Sequence, residues 1–165
     1  MILKIIGSVM LVSACFLVGF SRSKALYKRR DFLKSFIVFL SSLETNLRYN
    51  SSDIFTLVSM CAECCKLKHL SIDKNADKPF VSAWNERVSE LPDIFSLKKA
   101  DRELLVEFGS QLGKSDLDGQ LKHVELYKAI FSNQLSLANE EIAKKSKLYK
   151  TMGLFVGISI ALLII

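Results

Sequence analysis

Three thiols and an imidazole crowd one short stretch, Cys61-x-x-Cys64-Cys65 with His69 four residues on. Thiolates and imidazoles are zinc's usual ligands, so the first chemistry to weigh is a metal site. A structural zinc knuckle sets its ligands around a turn and needs a second pair farther along the chain. Here the four lie at helical spacing inside an apolar pattern, and no second pair exists. The expectation is therefore small core hydrophobes and no metal. In a reducing cytoplasm they would not form disulfides either.

Two other patterns fare similarly. Gly113-Lys114-Ser115 has the ending of a phosphate-binding loop, but that motif needs a glycine at 108, where Phe108 stands, and Gly109 comes one residue late. An apparent helix, not a strand, precedes it, so Gly113 reads as a helix stop. His123 shares a face with Asp116 and Gln120, at spacings of seven and three, and could serve as a base on paper. General acid–base chemistry needs converging groups, and none accompanies it. No catalytic residue, cofactor or metal is expected.

The elements that would position these residues are helices. Residues 2–20 are apolar apart from Lys4 and a few small side chains. Nineteen helical residues cover about 28 Å, close to the hydrocarbon thickness of a bilayer. Residues 151–165 form a second apolar run, worth only about 22 Å of helix, which Leu148, Tyr149 and local thinning would have to extend. Its lack of a polar face makes burial within a small domain awkward, so it too is expected to span. Gly153-x-x-x-Gly157 within it would let helix backbones approach closely in lipid, and leaves room for a homo-oligomer.

Charge orients this arrangement. Residues 31–143 hold 13 Lys and Arg against all 17 Asp and Glu, so the net charge of +6 comes from elsewhere. Nine of the other ten basic residues sit in 22–30 and 144–150, flanking the apolar runs. A nucleic-acid binder needs its positive charge on the folded face, so no nucleic acid is expected. Basic clusters beside apolar runs suit lipid headgroups, and both clusters place the middle of the chain in the cytoplasm. Val12-Ser13-Ala14-Cys15 resembles a lipoprotein cleavage site, an alternative in which the chain is cut before Cys15. The single Lys of its n-region and the apolar run continuing through Phe20 argue against it.

The middle shows three- and four-residue apolar steps and no hairpin punctuation. No Gly or Pro interrupts residues 20–50, so the first apolar run is expected to continue as an amphipathic helix carrying Leu26, Leu33, Phe36, Ile37, Leu40, Leu43 and Leu47. Ser51-Ser52-Asp53 would cap a second helix bearing Ile54, Leu57, Val58, Cys61, Cys65 and His69. Pro79 would open a third with Phe80, Val81, Trp84 and Val88, broken at Leu91-Pro92-Asp93. Ser96 would cap a fourth with Leu97, Leu104, Leu105, Phe108 and Leu112, ended by Gly113. Ser115 or Asp116 would start a fifth that runs unbroken into the last apolar segment. The fold class expected is all-α: a cytoplasmic helical bundle, residues 21–150, flanked by transmembrane helices at 2–20 and 151–165.

Leu43-Glu44-Thr45 with Tyr49, then Trp84, then Phe108-Gly109-x-x-Leu112-Gly113-x-x-Asp116-x-x-x-Gln120-x-Lys122-His123, resemble the stage III sporulation protein AB family. The ending, Lys144-Lys145-x-Lys147-x-Tyr149-Lys150-x-x-Gly153-x-x-x-Gly157 before an aliphatic tail, is similar to that family too. The cysteine cluster is outside the pattern, and Asn50-Ser51-Ser52 stands where some members have Thr-Pro. The resemblance implies a membrane component of the channel joining mother cell and forespore in endospore formation. It also implies likeness to the F-type inner-membrane platform protein of type II secretion and type IV pili. By that analogy the bundle would dock the cytoplasmic channel ATPase, stage III sporulation protein AA, among other channel proteins. Glu44, Tyr49, Trp84, Gly109, Leu112, Gly113, Asp116, Gln120, Lys122 and His123 are the motif residues and candidate partner interface. A generic membrane-anchored helical scaffold is the plainer alternative.

Overall fold

In a computed structural model the chain is described at residues 2–50, 52–72 and 78–164, with the side chains of several residues in 2–15 and 150–164 outside that description. Among the described residues the regular structure is helical: α1 (Ile2–Tyr49), α2 (Ile54–Cys64), α3 (Phe80–Ser89), α4 (Lys99–Gln111) and α5 (Leu117–Ile164). Single 3₁₀ turns at Lys68–Leu70 and Asp93–Phe95 join the short helices. Two compact units result: Asp31–Ser136, and the paired arms Met1–Arg30 with Leu137–Ile165.

In the 31–136 unit, α1 runs to Tyr49 without a break because no Gly or Pro interrupts residues 20–50. Its buried stripe comprises Phe32, Leu33, Phe36, Phe39, Leu40 and Leu43, with Ile37 and Leu47 at its margins. Phe36, Phe39, Trp84, Phe108 and Phe131 are fully enclosed and meet one another. Phe36 lies 4.5 Å from Phe131 and packs edge-on to Phe108 at 5.8 Å, while Trp84 meets Phe108 edge-on at 5.7 Å. Each such ring contributes about 1.5–3 kcal/mol by leaving water, so four helices converge on one aromatic centre.

Three local expectations need correction. The second helix stops at Cys64, so Cys65 and His69 fall outside it. Lys66 adopts a left-handed φ of 61°, the Leu67 amide bonds the Ala62 carbonyl at 2.8 Å, and the Lys66 amide bonds Glu63 at 3.3 Å. This paired closure usually employs glycine at the position Lys66 holds. Ser96 does not cap the fourth helix; it is itself left-handed (φ 54°) and ends a 3₁₀ turn. The N-cap of α4 is Lys98, whose amide donates to the Asp101 carboxylate at 2.9 Å. Asp53 stands at the N-cap of α2 with extended backbone but makes no side-chain capping bond there.

The arm unit pairs the N-terminal part of α1 with the C-terminal part of α5. Ser23 meets Ser146, and Arg29 meets Glu141, so residue numbers fall on one helix as they rise on the other. The two runs expected to span, 2–20 and 151–165, lie largely on side chains outside the described residues. Among the described residues, no helix is long and apolar enough to cross a membrane.

Candidate functional site

The motif residues divide by geometry into three groups. The first is the turn from α4 to α5. Gly113 has a φ of +81°, a left-handed conformation in which a Cβ costs about 1–2 kcal/mol. The space beside it is open, since a Cβ would meet nothing nearer than Ile54 Cγ2 at 3.7 Å. Asp116, just before α5, accepts the Gly119 amide at 3.1 Å and so satisfies one of the donors a helix start leaves unpaired. Gln120 is buried and fastens the turn from inside: its Oε1 accepts the Gly113 amide at 2.9 Å and its Nε2 donates to Ser115 Oγ at 2.9 Å. Leu112 is buried beneath the same turn.

The second group is internal. Trp84 donates its indole N–H to the Leu105 carbonyl at 2.7 Å and lies flush on Gly109. A methyl group at Gly109 would overlap Cδ1 and Nε1 of that ring. His123 Nε2 lies 2.9 Å from the Phe108 carbonyl, its ring stacked on Phe108 and tilted against Tyr127 at 4.8 Å. Burial pushes the Tyr127 hydroxyl up to about 12, helped by the charge and hydrogen bond of Glu107. His123 thus ties α5 to α4, with Phe108 and Tyr127 around it. Lys122 is exposed.

The third group reaches the surface. Glu44 on α1 bonds Arg48 at 3.2 Å and Lys128 of α5 at 3.4 Å. Partial burial raises its carboxyl pKa, but the two cations outweigh that and hold it below the usual carboxylate range. Beyond Glu44, the end of α1, the start of α2 and the α4–α5 turn enclose a groove of about 380 Å³. Leu47, Tyr49, Ile54, Gly113, Leu117 and Gln120 are among its walls. Tyr49 is 85% exposed and Leu117 50% exposed, two large side chains left in water at one place.

The cysteines are arranged differently from one another. Cys61 is buried, with Ser42 Oγ and Asn46 Nδ2 donating to its sulfur at 3.5 and 3.6 Å. Burial pushes both Cys61 and Cys65 upward in pKa, while Cys64 is exposed. His69 turns away to meet Phe95 edge-on at 5.5 Å. Among the described residues, no three metal-ligating side chains converge.

The arms carry a polar seam. Ser23 and Ser146, both buried, share a 2.8 Å hydrogen bond, and the Tyr27 hydroxyl lies 3.2 Å from Ser146. Buried Arg29 pairs with Glu141 at 3.5 Å, and Lys145 holds the other oxygen of Glu141 at 2.8 Å. The expected packing at Gly153 and Gly157 falls on side chains outside the described residues.

Sequence reasoning passed over Lys128, Arg48, Leu117 and the Arg29–Glu141 pair. Lys128 and Arg29 have partners 84 and 112 positions away, beyond any spacing rule, whereas Arg48 pairs with Glu44 at the four-residue helical step and could have been found by it; Leu117 was visible only as a leucine between Asp116 and Asp118. Arg102, also passed over, donates to the Val88 and Leu91 carbonyls at 3.1 and 2.9 Å and so closes the end of α3.

A family model described as Stage III sporulation protein AB matches residues 4–165. A protein named Stage III sporulation protein AB from Bacillus subtilis (strain 168) is 28% identical over 170 residues, covering 98% of this chain and 99% of that relative. No solved structure matches.

Proposed function

Because this chain belongs to the stage III sporulation protein AB family and so serves sporulation, we propose that it is a non-enzymatic, membrane-anchored part of the mother cell–forespore channel. Its apolar termini anchor it in the mother-cell membrane around the forespore, and residues 21–150 face the cytoplasm. The support for anchoring is the sequence: two apolar runs, each bordered on its inner side by a basic cluster. The support for a docking role is the groove between the end of α1 and the α4–α5 turn, where Tyr49 and Leu117 stay exposed among motif residues. An exposed aromatic beside an exposed aliphatic, rimmed by polar groups, suits a partner's anchor residue. The partner is the cytoplasmic channel ATPase, stage III sporulation protein AA.

The experiment is co-purification of the full chain with that ATPase from sporulating cells, with Tyr49→Ala and Leu117→Ala introduced together. Loss of the ATPase and of spores, with the chain still in the membrane fraction, supports the reading. Normal spore counts would leave only a generic helical scaffold. Topology is checked separately at exposed Cys64: an impermeant thiol reagent should label it only after lysis.

A further inference from the structure

The arm unit holds a second groove, of about 440 Å³, walled by Ala14, Val18, Gly19 and Arg22 of α1 and Tyr149, Met152 and Val156 of α5. Ala14, Val18 and Arg22 follow one another at four-residue steps, and Tyr149, Met152 and Val156 at three and four, so each helix offers one face along the trough. The pairing is antiparallel, which brings Arg22 and Tyr149 to one end and Ala14 and Val156 to the other. A cation and a phenol thus close one mouth of an otherwise apolar channel. From residue 14 to residue 22 the helix rises about 12 Å, against about 15 Å for one leaflet of hydrocarbon.

The surrounding charge is of one sign. Neither residues 1–30 nor residues 142–165 contain an Asp or Glu. Exposed Lys24, Lys28 and Lys147 stand near the same mouth in sequence. Glu140 and Glu141, the nearest acids on α5, pair with Lys144 and with Lys145 and Arg29.

From this juxtaposition we propose that the groove binds one anionic phospholipid, with an acyl chain between Val18 and Met152 and the headgroup phosphate against Arg22 and Tyr149. A guanidinium can bond both non-bridging oxygens of the phosphodiester at once, and a phenol can donate a further hydrogen bond to one of them. The apolar walls favour hydrocarbon, and the one-signed rim selects a headgroup with net negative charge over a zwitterionic one. This rests on the membrane-anchored reading of the chain.

The test uses the full chain reconstituted into vesicles of equal phosphatidylglycerol and phosphatidylcholine, then extracted in mild detergent for native mass spectrometry. The expected result is a retained phosphatidylglycerol on each chain, with phosphatidylcholine rare. Arg22→Gln should lower that retention about fivefold, the worth of one cation near an anionic surface, while Arg22→Lys keeps most of it. Val18→Trp, which fills the trough, should expel both lipids. Soluble glycerol phosphate should not compete, since it lacks the acyl chain. Equal retention of the two lipids, or no change with Arg22→Gln, overturns the proposal. So does a chain that dimerises through the groove and loses the dimer with Val18→Trp. Flotation with the vesicles separates the two readings: a chain that floats without lipid preference sinks only the groove, and one that does not float sinks the anchoring as well.

Discussion

The indole of Trp84 rests directly on the backbone of Gly109, with its N–H bonded to Leu105 one turn earlier on the same helix. The fit demands the absence of a side chain, not an unusual backbone, because Gly109 is an ordinary helical residue of α4. Two motif residues widely separated in sequence are thus one packing device.

Gly109→Ala should therefore destabilise the chain by about 1–3 kcal/mol through overpacking. Denaturant unfolding followed by far-ultraviolet circular dichroism measures it, since Trp84 is the sole tryptophan and its fluorescence is lost with its replacement. Trp84→Phe should itself cost stability through the lost indole bond, yet make Gly109→Ala better tolerated. Equal stability of Gly109→Ala and the natural chain would refute the packing account.

At the α4–α5 turn the three motif residues should cost stability for different reasons. Gly113→Ala loses about 1–2 kcal/mol to backbone strain alone, since its surroundings are open. Gly113→Val adds β-branched stiffness to that strain, and Gly113→Asn recovers part of the loss. Asp116→Ala loses a cap worth about 1 kcal/mol. Gln120→Ala strands the Gly113 amide, at about 1–3 kcal/mol. Thermal unfolding beside spore counts decides between fold and partner: if Asp116→Ala abolishes spores with an unmoved Tm, the turn acts as a binding surface instead.

Two groups give the stability a pH signature of opposite sense. Glu44 is held below its ordinary 4.5 in the fold, so its stabilisation is full above that value and fades as pH falls through the lower folded one. Glu44→Gln should lower the Tm at neutral pH, and the gap should close in acid. Tyr127 is raised to about 12 from 10, so its folded form resists ionisation and stability drops as pH climbs from 10 toward 12. Tyr127→Phe should flatten that alkaline limb. A Tm–pH curve unchanged by either substitution would contradict the assignments.

The cysteines should react in the order Cys64, then Cys65, then Cys61 in the folded chain, following exposure and the upward push of burial on the last two. Cys61→Ala should cost about 1–2 kcal/mol, because a buried sulfur with two donors is lost. Cys64→Ser should be nearly silent. Stoichiometric zinc in the purified chain would overturn this arrangement.

What could be read from the sequence was what local rules govern. The unbroken course of α1 beyond residue 20 followed from the lack of Gly and Pro in 20–50, and the left-handed Gly113 followed from an apolar run that stops at Leu112. The buried faces of α3 and α4 followed from periodicity, as Trp84, Val88, Leu105 and Phe108 show. Lys66 escaped because its left-handed turn has no glycine to mark it, being imposed by Leu67 folding back into the core. Ser96 misled because a good capping residue competes with whatever backbone its neighbours require. Among site residues, the contact of Gly109 with Trp84 and the ion pair of Glu44 with Lys128 depend on which helices become neighbours. That information is tertiary.

The polar seam of the arms also constrains the order of assembly. Ser23 and Ser146 are 123 positions apart, so at the ribosome α1's half of the seam must wait until residue 146 emerges. Closing so large a loop unaided would be slow, since the entropy must be spent before any contact rewards it. A folded 31–136 unit removes most of that entropic cost, because Phe36 already touches Phe131 and only the short lengths leading to Arg29 and Glu141 still have to be ordered. In a biosynthetic sense the seam is a latch: Ser23 and Ser146 can be joined only after the residues between them have been made.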